Sequence, residues 1–302
     1  MSNSGLPSAT SYFSTPENNL DPRLFHGRSL QSWARTGILT LLYDFLNTEY
    51  RHSDLWAHAW LAGSGVSYQW SAARDPGDLD CLVGIDYFQF RKANPSYQGL
   101  SNTEISNQIN EDFRNGLQHK TANWNGYELT FYVNPGATDI RSIRPYAAYD
   151  LTYNEWTVSP DPHAHAPQNP QWESVAKSDK GMAASASMRF NQALQDVQIS
   201  HSDATRRNAE RRMQAAAEQA IALFDEIHQN RTQAFSSTGE GYTDFHNYRW
   251  QAGKQEGTIQ MLRGIKDYVK NAREQANLST YGVELPTTDV LIRRAALYRS
   301  KG

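Results

Sequence analysis

The chain has 302 residues, of which 39% are hydrophobic and 20% charged, with 8 Trp and 16 Tyr. These proportions suffice for one large or two modest folded domains and exclude a chain that is disordered throughout. The single cysteine, Cys81, excludes an internal disulfide and a cysteine-based zinc site, and the formal net charge of -3 lacks the basic excess typical of duplex-binding proteins.

The N-terminal stretch bears on the cellular compartment. It reads "MSNSGLPSATSYFSTPENN" and lacks the basic and apolar blocks of a secretory signal. No apolar run approaches the roughly 20 residues of a membrane span. We therefore expect a soluble, cytoplasmic protein with no membrane partner. The Ser, Asn and Pro content predicts a flexible segment over residues 1–22.

Residues 23–160 predict a mixed α+β domain. A broad apolar stripe favours a helix over Ser29–Tyr50, with Ser29 as its N-cap. Ser101 and Glu104 have the spacing of a capping box and open a second helix, whose apolar residues recur every four positions. Strand-like runs occur at Trp56–Ala62, Leu79–Ile85 and Leu129–Val133.

Residues 161–302 predict a second, helical domain. The two parts are separated by "VSPDPHAHAPQNPQ", whose proline content is typical of a linker. From about Gln171 onward the apolar residues follow helical spacing, as at Ile259, Leu262 and Ile265. The fold expected for the whole chain is a small mixed sheet flanked by helices, followed by this helical domain.

Two aspartates separated by one residue, Asp78 and Asp80, lie in the stretch "LAGSGVSYQWSAARDPGDLDCLVGID", which begins at Leu61. Alternation along a strand places Asp78 and Asp80 on one face of the sheet, and Leu79 and Cys81 on the other. Two carboxylates aimed at one point repel each other unless a cation lies between them. Oxygen ligands without His or Cys suit a hard ion such as Mg²⁺ or Mn²⁺.

Gly63 and Ser64 precede this pair, directly after an apolar run. That position predicts a tight strand-to-helix turn, whose backbone N–H groups and hydroxyl face an anion such as phosphate. A third carboxylate would complete a site for phosphoryl or nucleotidyl transfer. In "GYELTFYVNP" the strand alternation favours Glu128, with Asp150 of "AAYDLTYNEW" as the competing candidate.

This pattern resembles the signature of the polymerase-β-like nucleotidyltransferase superfamily. That signature consists of Gly-Gly or Gly-Ser after an apolar residue, about ten further residues, Asp-x-Asp, and a later Asp or Glu on a neighbouring strand. Thirteen residues separate Ser64 from Asp78, at the long limit of the pattern, and the resemblance covers residues 56–135. The third acid is Glu where Asp is more usual, and "YQW" replaces the familiar "YG".

The resemblance implies Asp78, Asp80 and Glu128 as Mg²⁺ ligands and catalytic residues, with Gly63 and Ser64 on the triphosphate. It also implies that the helical domain closes the nucleotide cleft, and that Lys254 of that domain reaches the triphosphate. The implied activity is transfer of NMP from a nucleoside triphosphate such as ATP to an acceptor hydroxyl, with release of pyrophosphate. Glu128 or the metal would remove the acceptor proton.

The acceptor stays open between an RNA end, an oligonucleotide, a protein and a small molecule. Two other functions also fit the residues. One is a metal-dependent sugar-nucleotide transferase, which also uses Asp-x-Asp but normally has a longer nucleotide-binding region before it. The other is a catalytically silent nucleotide- or RNA-binding module.

Several further residues permit both a functional and a structural interpretation. Lys254 is also compatible with an exposed helix position, and His163 and His165 with a solvated loop instead of a metal site. Arg207 and Arg211, four residues apart, are typical of a solvated helix face rather than an RNA contact. The same choice, between packing and base stacking, applies to Tyr242, Phe245, Tyr248 and Trp250.

Overall fold

The computed structural model describes residues 11–72 and 76–282, together with residues 286, 290, 291, 295, 297 and 298. The chain divides into two compact units. The first, which we call the sheet unit, includes Ser11–His165 and Phe235–Tyr242. The second, which we call the helical unit, includes Ala166–Ala234 and Thr243–Leu285.

The sheet unit contains a five-stranded sheet with strand order β5-β4-β3-β6-β7 and a separate two-stranded hairpin, β1-β2. Strands β4 and β5 are parallel, and the other neighbouring strands are antiparallel. A parallel pair needs a long crossover, which here consists of helices α2 to α4. The strands are β1 (Phe25–His26), β2 (Ser29–Leu30), β3 (Ala57–Ala62), β4 (Gly77–Ile85), β5 (Tyr127–Tyr132), β6 (Ala148–Asp150) and β7 (Glu155–Val158). The helices are α1 (Ser32–Glu49), α2 (Tyr87–Ala93), α3 (Asn102–Gly116) and α4 (Gln118–Thr121).

The two faces of the large sheet are covered differently. One face packs on α1 and α3 and forms the main core, to which the strands contribute Leu79 and Cys81 and the helices Ile38 and Ile109. The other face carries a smaller cluster of Trp60, Ala62, Leu82, Ala148, Ile140 and Ile143. The predicted mixed α+β architecture, a small sheet with flanking helices, is therefore confirmed.

The N-terminal part of the sheet unit differs from the prediction. Residues 1–10 of the expected flexible segment lie outside the described residues, but Tyr12, Leu20 and Asp21 are buried. Residues 11–22 therefore pack with the sheet unit, because a few aromatic and apolar side chains suffice to dock a segment rich in Ser and Pro. Ser29 is not the N-cap of the first helix either, since it lies in β2 and Gln31 takes that position without a side-chain capping bond.

The helical unit consists, in its described part, of three long helices, one shorter helix and short connections. Its first helix begins where Asn169 accepts hydrogen bonds from the backbone of Gln171 and Trp172 and Pro170 occupies the first turn. Small side chains such as Ala183 and Ala217 lie in the core of this unit beside Phe224. The helices are α5 (Pro170–Ile199), α6 (Asp203–Ala234), α7 (Phe245–Gln255) and α8 (Thr258–Tyr281).

The unit boundary is not a single cut in the sequence. Phe235–Tyr242, which the sequence assigned to the helical domain, belongs to the sheet unit. There the hydroxyl of Tyr242 accepts a hydrogen bond from Gln69 at 2.6 Å. In the described part of the chain, no helix combines the length and apolar character needed to cross a bilayer.

Candidate functional site

The predicted site residues of the sheet unit meet at one edge of the large sheet. Strand β3 ends there, and β4 and β5 begin there. Asp80 pairs with Ala62, the last residue of β3, and Asp78 pairs with Glu128 of β5. Directly opposed residues of neighbouring strands point to the same face. We call Gly63, Ser64, Asp78, Asp80 and Glu128 the acidic edge.

Strand β4 alternates as its sequence predicts. Leu79 and Cys81 are fully buried on the helix-covered face, and Asp78 and Asp80 are half-buried on the opposite face. Burial, reinforced by the charge of Asp80, raises the pKa of the Cys81 thiol well above its usual range. Cys81 is thus a neutral core side chain, and the polar chemistry of β4 belongs to the two aspartates.

The turn after β3 lies directly against these aspartates. Gly63 has a φ of +86°, and a Cβ placed on it would lie 2.9 Å from Oδ2 of Asp80. A Cβ on Gly65 would lie 2.2 Å from the backbone oxygen of Asp78, closer than any real contact. Glycine is therefore favoured at Gly63 by the backbone angle and required at Gly65 by the close approach of the Asp78 backbone. The Gly-Ser turn and the Asp-x-Asp strand form one structural feature.

Ser64 opens a short 3₁₀ turn that ends at Val66. Its carbonyl accepts hydrogen bonds from the backbone N–H and the hydroxyl of Ser67, at 3.1 and 3.0 Å. Its own hydroxyl is half-buried and makes no hydrogen bond with any residue that the structure describes. This hydroxyl is available to a ligand at the acidic edge.

The two candidates for the third carboxylate lie in different places. Glu128 is exposed and pairs directly with Asp78. Asp150 pairs with Trp60, two residues further along β3 from the acidic edge, and is buried. Its carboxylate is bonded to His58 at 2.6 Å. Asp150 is therefore not part of the acidic edge, whereas Glu128 is.

The fit of a metal ion can be judged from the donor set. The acidic edge offers only oxygen donors, which suit Mg²⁺ or Mn²⁺. Yet among the described residues no three His, Cys, Asp or Glu side chains are grouped closely enough to hold a metal ion. Asp78, Asp80 and Glu128 share a face without converging, and a bound ion would have to draw Glu128 inward from its exposed position.

The other predicted residues lie away from the acidic edge or in the helical unit. His163 and His165 are exposed, as are Arg207 and Arg211 on α6. These positions fit the solvated interpretations. Lys254 is half-buried near the end of α7, and its role at a triphosphate stays a prediction.

The four aromatic residues near α7 contribute to packing. Within the helical unit, the rings of Phe245 and Tyr248 each lie 5.5 Å from that of Trp172. Trp250 belongs to the core of the same unit. Tyr242 lies in the sheet unit, where burial raises its pKa to about 12. Their positions favour the packing interpretation over base stacking.

The sequence reasoning missed the pair formed by His58 and Asp150. Both residues lie on strands and on the same sheet face as Trp60, but they are 92 positions apart. Alternation within each strand gives the face of each residue. It does not say that β3 and β6 are neighbours, so no local signal could have joined the two side chains.

Comparisons with known proteins do not assign the chain to a group: no protein-family model, no curated protein and no solved structure matches it. Its function is therefore inferred from the acidic edge itself.

Proposed function

We propose that this chain is a metal-dependent nucleotidyltransferase that acts at the acidic edge. The observation that carries the proposal is the close approach of Asp80 to the turn after β3, since its Oδ2 lies 2.9 Å from the position that a Cβ on Gly63 would occupy. It brings a turn suited to phosphate against a pair of aspartates suited to a divalent cation. The resemblance of the sequence to polymerase-β-like nucleotidyltransferases supports the same reading.

Each group of the acidic edge has a role in this proposal. Asp78 and Asp80 would hold Mg²⁺, or Mn²⁺ in its place, which would supply positive charge to offset that of the triphosphate of an NTP such as ATP. The hydroxyl of Ser64 donates a hydrogen bond to a phosphate oxygen. Glu128, exposed beside Asp78, accepts the proton of the acceptor hydroxyl. Lys254 is a further candidate for the triphosphate.

The proposal covers any acceptor that presents a hydroxyl group. An RNA end, an oligonucleotide, a protein and a small molecule all present the hydroxyl that the reaction needs. The near-neutral net charge of -3 disfavours tight binding of a nucleic-acid duplex. Sugar-nucleotide transfer and silent nucleotide binding are the competing functions.

The test uses the purified full chain with each α-labelled nucleoside triphosphate and Mg²⁺, with and without RNA or lysate acceptors. We expect label transfer by the native chain, and a loss of at least about 100-fold in Asp78→Asn and Asp80→Asn, as for removal of groups that stabilise developing charge. Asp44→Asn, an exposed acid on α1, is the matched control and retains activity. Thermal melting checks that each variant is folded.

Three outcomes separate the competing functions. Transfer that survives in Asp80→Asn contradicts the proposal. Mg²⁺-dependent binding of a triphosphate without transfer indicates a silent binding module. Release of a nucleoside diphosphate from a sugar nucleotide, in place of pyrophosphate from a triphosphate, indicates sugar transfer.

A further inference from the structure

A cavity opens on the sheet unit, on the same face as the acidic edge but toward the opposite end of β4. It is an open groove of about 560 Å³, a volume typical of small-molecule sites. Gly84, which lines it, lies four residues from Asp80, or about 13 Å along the strand. We call it the His58 groove; among its lining residues are Asp54, His58, Trp60, Asp150, Tyr153 and Glu155.

The base of the His58 groove is a fixed pair of side chains. Oδ1 of Asp150 accepts hydrogen bonds from the backbone N–H groups of Thr152 and Tyr153, both at 2.8 Å. Oδ2 bonds Nε2 of His58 at 2.6 Å. The imidazole is half-buried, and Nδ1 has no hydrogen-bond partner among the described residues. Asp150 thereby orients the ring and leaves Nδ1 for a ligand.

The lining carries a strong excess of negative charge. Five carboxylates face one guanidinium, that of Arg141, which is itself bound to Asp139 at 2.8 Å. Asp54 and Glu155 are exposed and form no ion pair with any described residue. Because these charges converge on a concave surface, they attract a cation and repel phosphate-bearing ligands.

The walls of the groove are apolar and aromatic. The ring of His58 lies 4.3 Å from that of Trp60 and 5.3 Å from that of Tyr153, between ring centroids. Tyr153 is 71% exposed and Leu55 is 60% exposed, although both are large side chains. An exposed aromatic face beside carboxylates is an arrangement that recognises organic cations through cation–π contact.

We propose that the His58 groove is a binding site for a small organic cation, an amine or guanidine carried on an aromatic or aliphatic body. The cationic group lies between Asp54 and Glu155, and its body packs against Tyr153 and Leu55. With the proton on Nε2 bonded to Asp150, Nδ1 of His58 accepts one N–H of the ligand. The site is independent of the acidic edge, so it stands whether or not the chain transfers nucleotides.

The experiment measures binding to the full chain by calorimetry, with NMR shifts of Tyr153 and His58 as the reporter of position. The probes are phenethylamine and agmatine, with phenethyl alcohol and hydrocinnamate as neutral and anionic analogues of the first. We expect saturable binding of the two cations with Kd values below about 1 mM and at least about ten-fold weaker binding of the analogues.

Variants assign the site within the molecule. Asp54→Asn, Glu155→Gln and Tyr153→Ala each weaken phenethylamine binding by about five-fold, the size expected for one exposed ionic or cation–π contact. These side chains are exposed, so the fold should persist, and thermal melting checks it. Asp44→Asn, which removes the same charge on α1, leaves binding unchanged.

Three results overturn the proposal. The first is the absence of saturable binding by either cation up to about 10 mM, well above the Kd expected of a built site. The second is binding that the three groove variants and the Asp44 control affect equally, since this would reflect the general negative charge of the surface. Equal affinity for phenethyl alcohol would likewise remove the electrostatic basis of the site.

Discussion

One buried residue, Asp21, connects the N-terminal segment, residues 11–22, to the rest of the sheet unit. It is buried, and its carboxylate accepts hydrogen bonds from Tyr127 at 2.7 Å and from Arg23 at 2.8 Å. Burial by itself acts to raise the pKa of Asp21, but these bonds outweigh it, and the pKa lies below its ordinary value of 3.8. The charged form of the Asp21 carboxyl is therefore stabilised more in the folded state than in the unfolded state.

Asp21 therefore stabilises the fold more at neutral pH than at acid pH. A carboxyl whose folded pKa is lowered contributes stability above its unfolded pKa, and that contribution is lost as the pH falls through the folded value. We expect Asp21→Asn to reduce the free energy of unfolding by about 1–3 kcal/mol at pH 7, because the buried partners lose a charged acceptor. Below about pH 4 the difference between native chain and variant should shrink.

Urea denaturation at pH 7 and at pH 3 measures this difference. Glu17→Gln, which neutralises an exposed acid in the same segment, is the control and should change little at either pH. A deficit of Asp21→Asn that stays constant over this pH range would show that the charge of Asp21 is not what holds the segment.

At the scale of the element, α5 and α7 are joined by a buried ion pair within the helical unit. Arg249 binds Asp179 through two nitrogens at 2.5 and 2.8 Å, and their side chains are 8% and 4% exposed. Arg249 also contacts Glu226 of α6 at 2.6 Å, but the Glu226 side chain is 56% exposed. The hydrogen bond to Asp179, more than any other contact, raises the pKa of Arg249.

This difference in burial predicts unequal costs of substitution. Asp179→Ala should destabilise the helical unit by about 3–5 kcal/mol, because it leaves the guanidinium buried without its main partner. Glu226→Ala should cost less than about 1 kcal/mol, since the exposed contact is weakened by solvent. Hydrogen exchange of α5 and α7 amides measures both, and equal costs would contradict the assignment of Asp179 as the dominant partner.

The cap at the start of α3 is a further feature of a single element. The sequence predicts a capping box from Ser101 and Glu104, and the structure forms both of its hydrogen bonds at the start of α3. Such a cap involves residues three positions apart, so it can be seen without knowledge of the fold. Ser29 fails as a cap because the chain around it pairs as β2, an interaction that helical periodicity does not reveal.

At the scale of the whole molecule, the sheet unit is built from separate parts of the chain. Phe235–Tyr242 returns to it from beyond α6, and the Tyr242 hydroxyl accepts a hydrogen bond from the buried Nε2 of Gln69. The ring of Tyr242 also contacts that of Tyr146, with centroids 4.5 Å apart. The stability of the sheet unit therefore depends on residues far from its strands in sequence.

We expect Tyr242→Ala to lower the stability of the sheet unit by about 2 kcal/mol, because it removes an aromatic contact and leaves Gln69 without this partner. Amides of β3 and β4 should exchange faster, while those of the core of α5 should not. Tyr281→Ala, which truncates a tyrosine that is 63% exposed, is the matched control. Unchanged exchange in β4 would show that Phe235–Tyr242 does not stabilise the sheet.

The sequence by itself determined the features that depend on neighbouring residues. Alternation places Leu79 and Asp80 on opposite faces, and spacing identifies the cap at Ser101, because backbone geometry links residues a few positions apart. Only the tertiary structure decided that Glu128 lies beside Asp78, while the carboxylate of Asp150 is hydrogen-bonded to His58. Those choices depend on which strands are neighbours and in what register, and both are set by packing between residues distant in the chain.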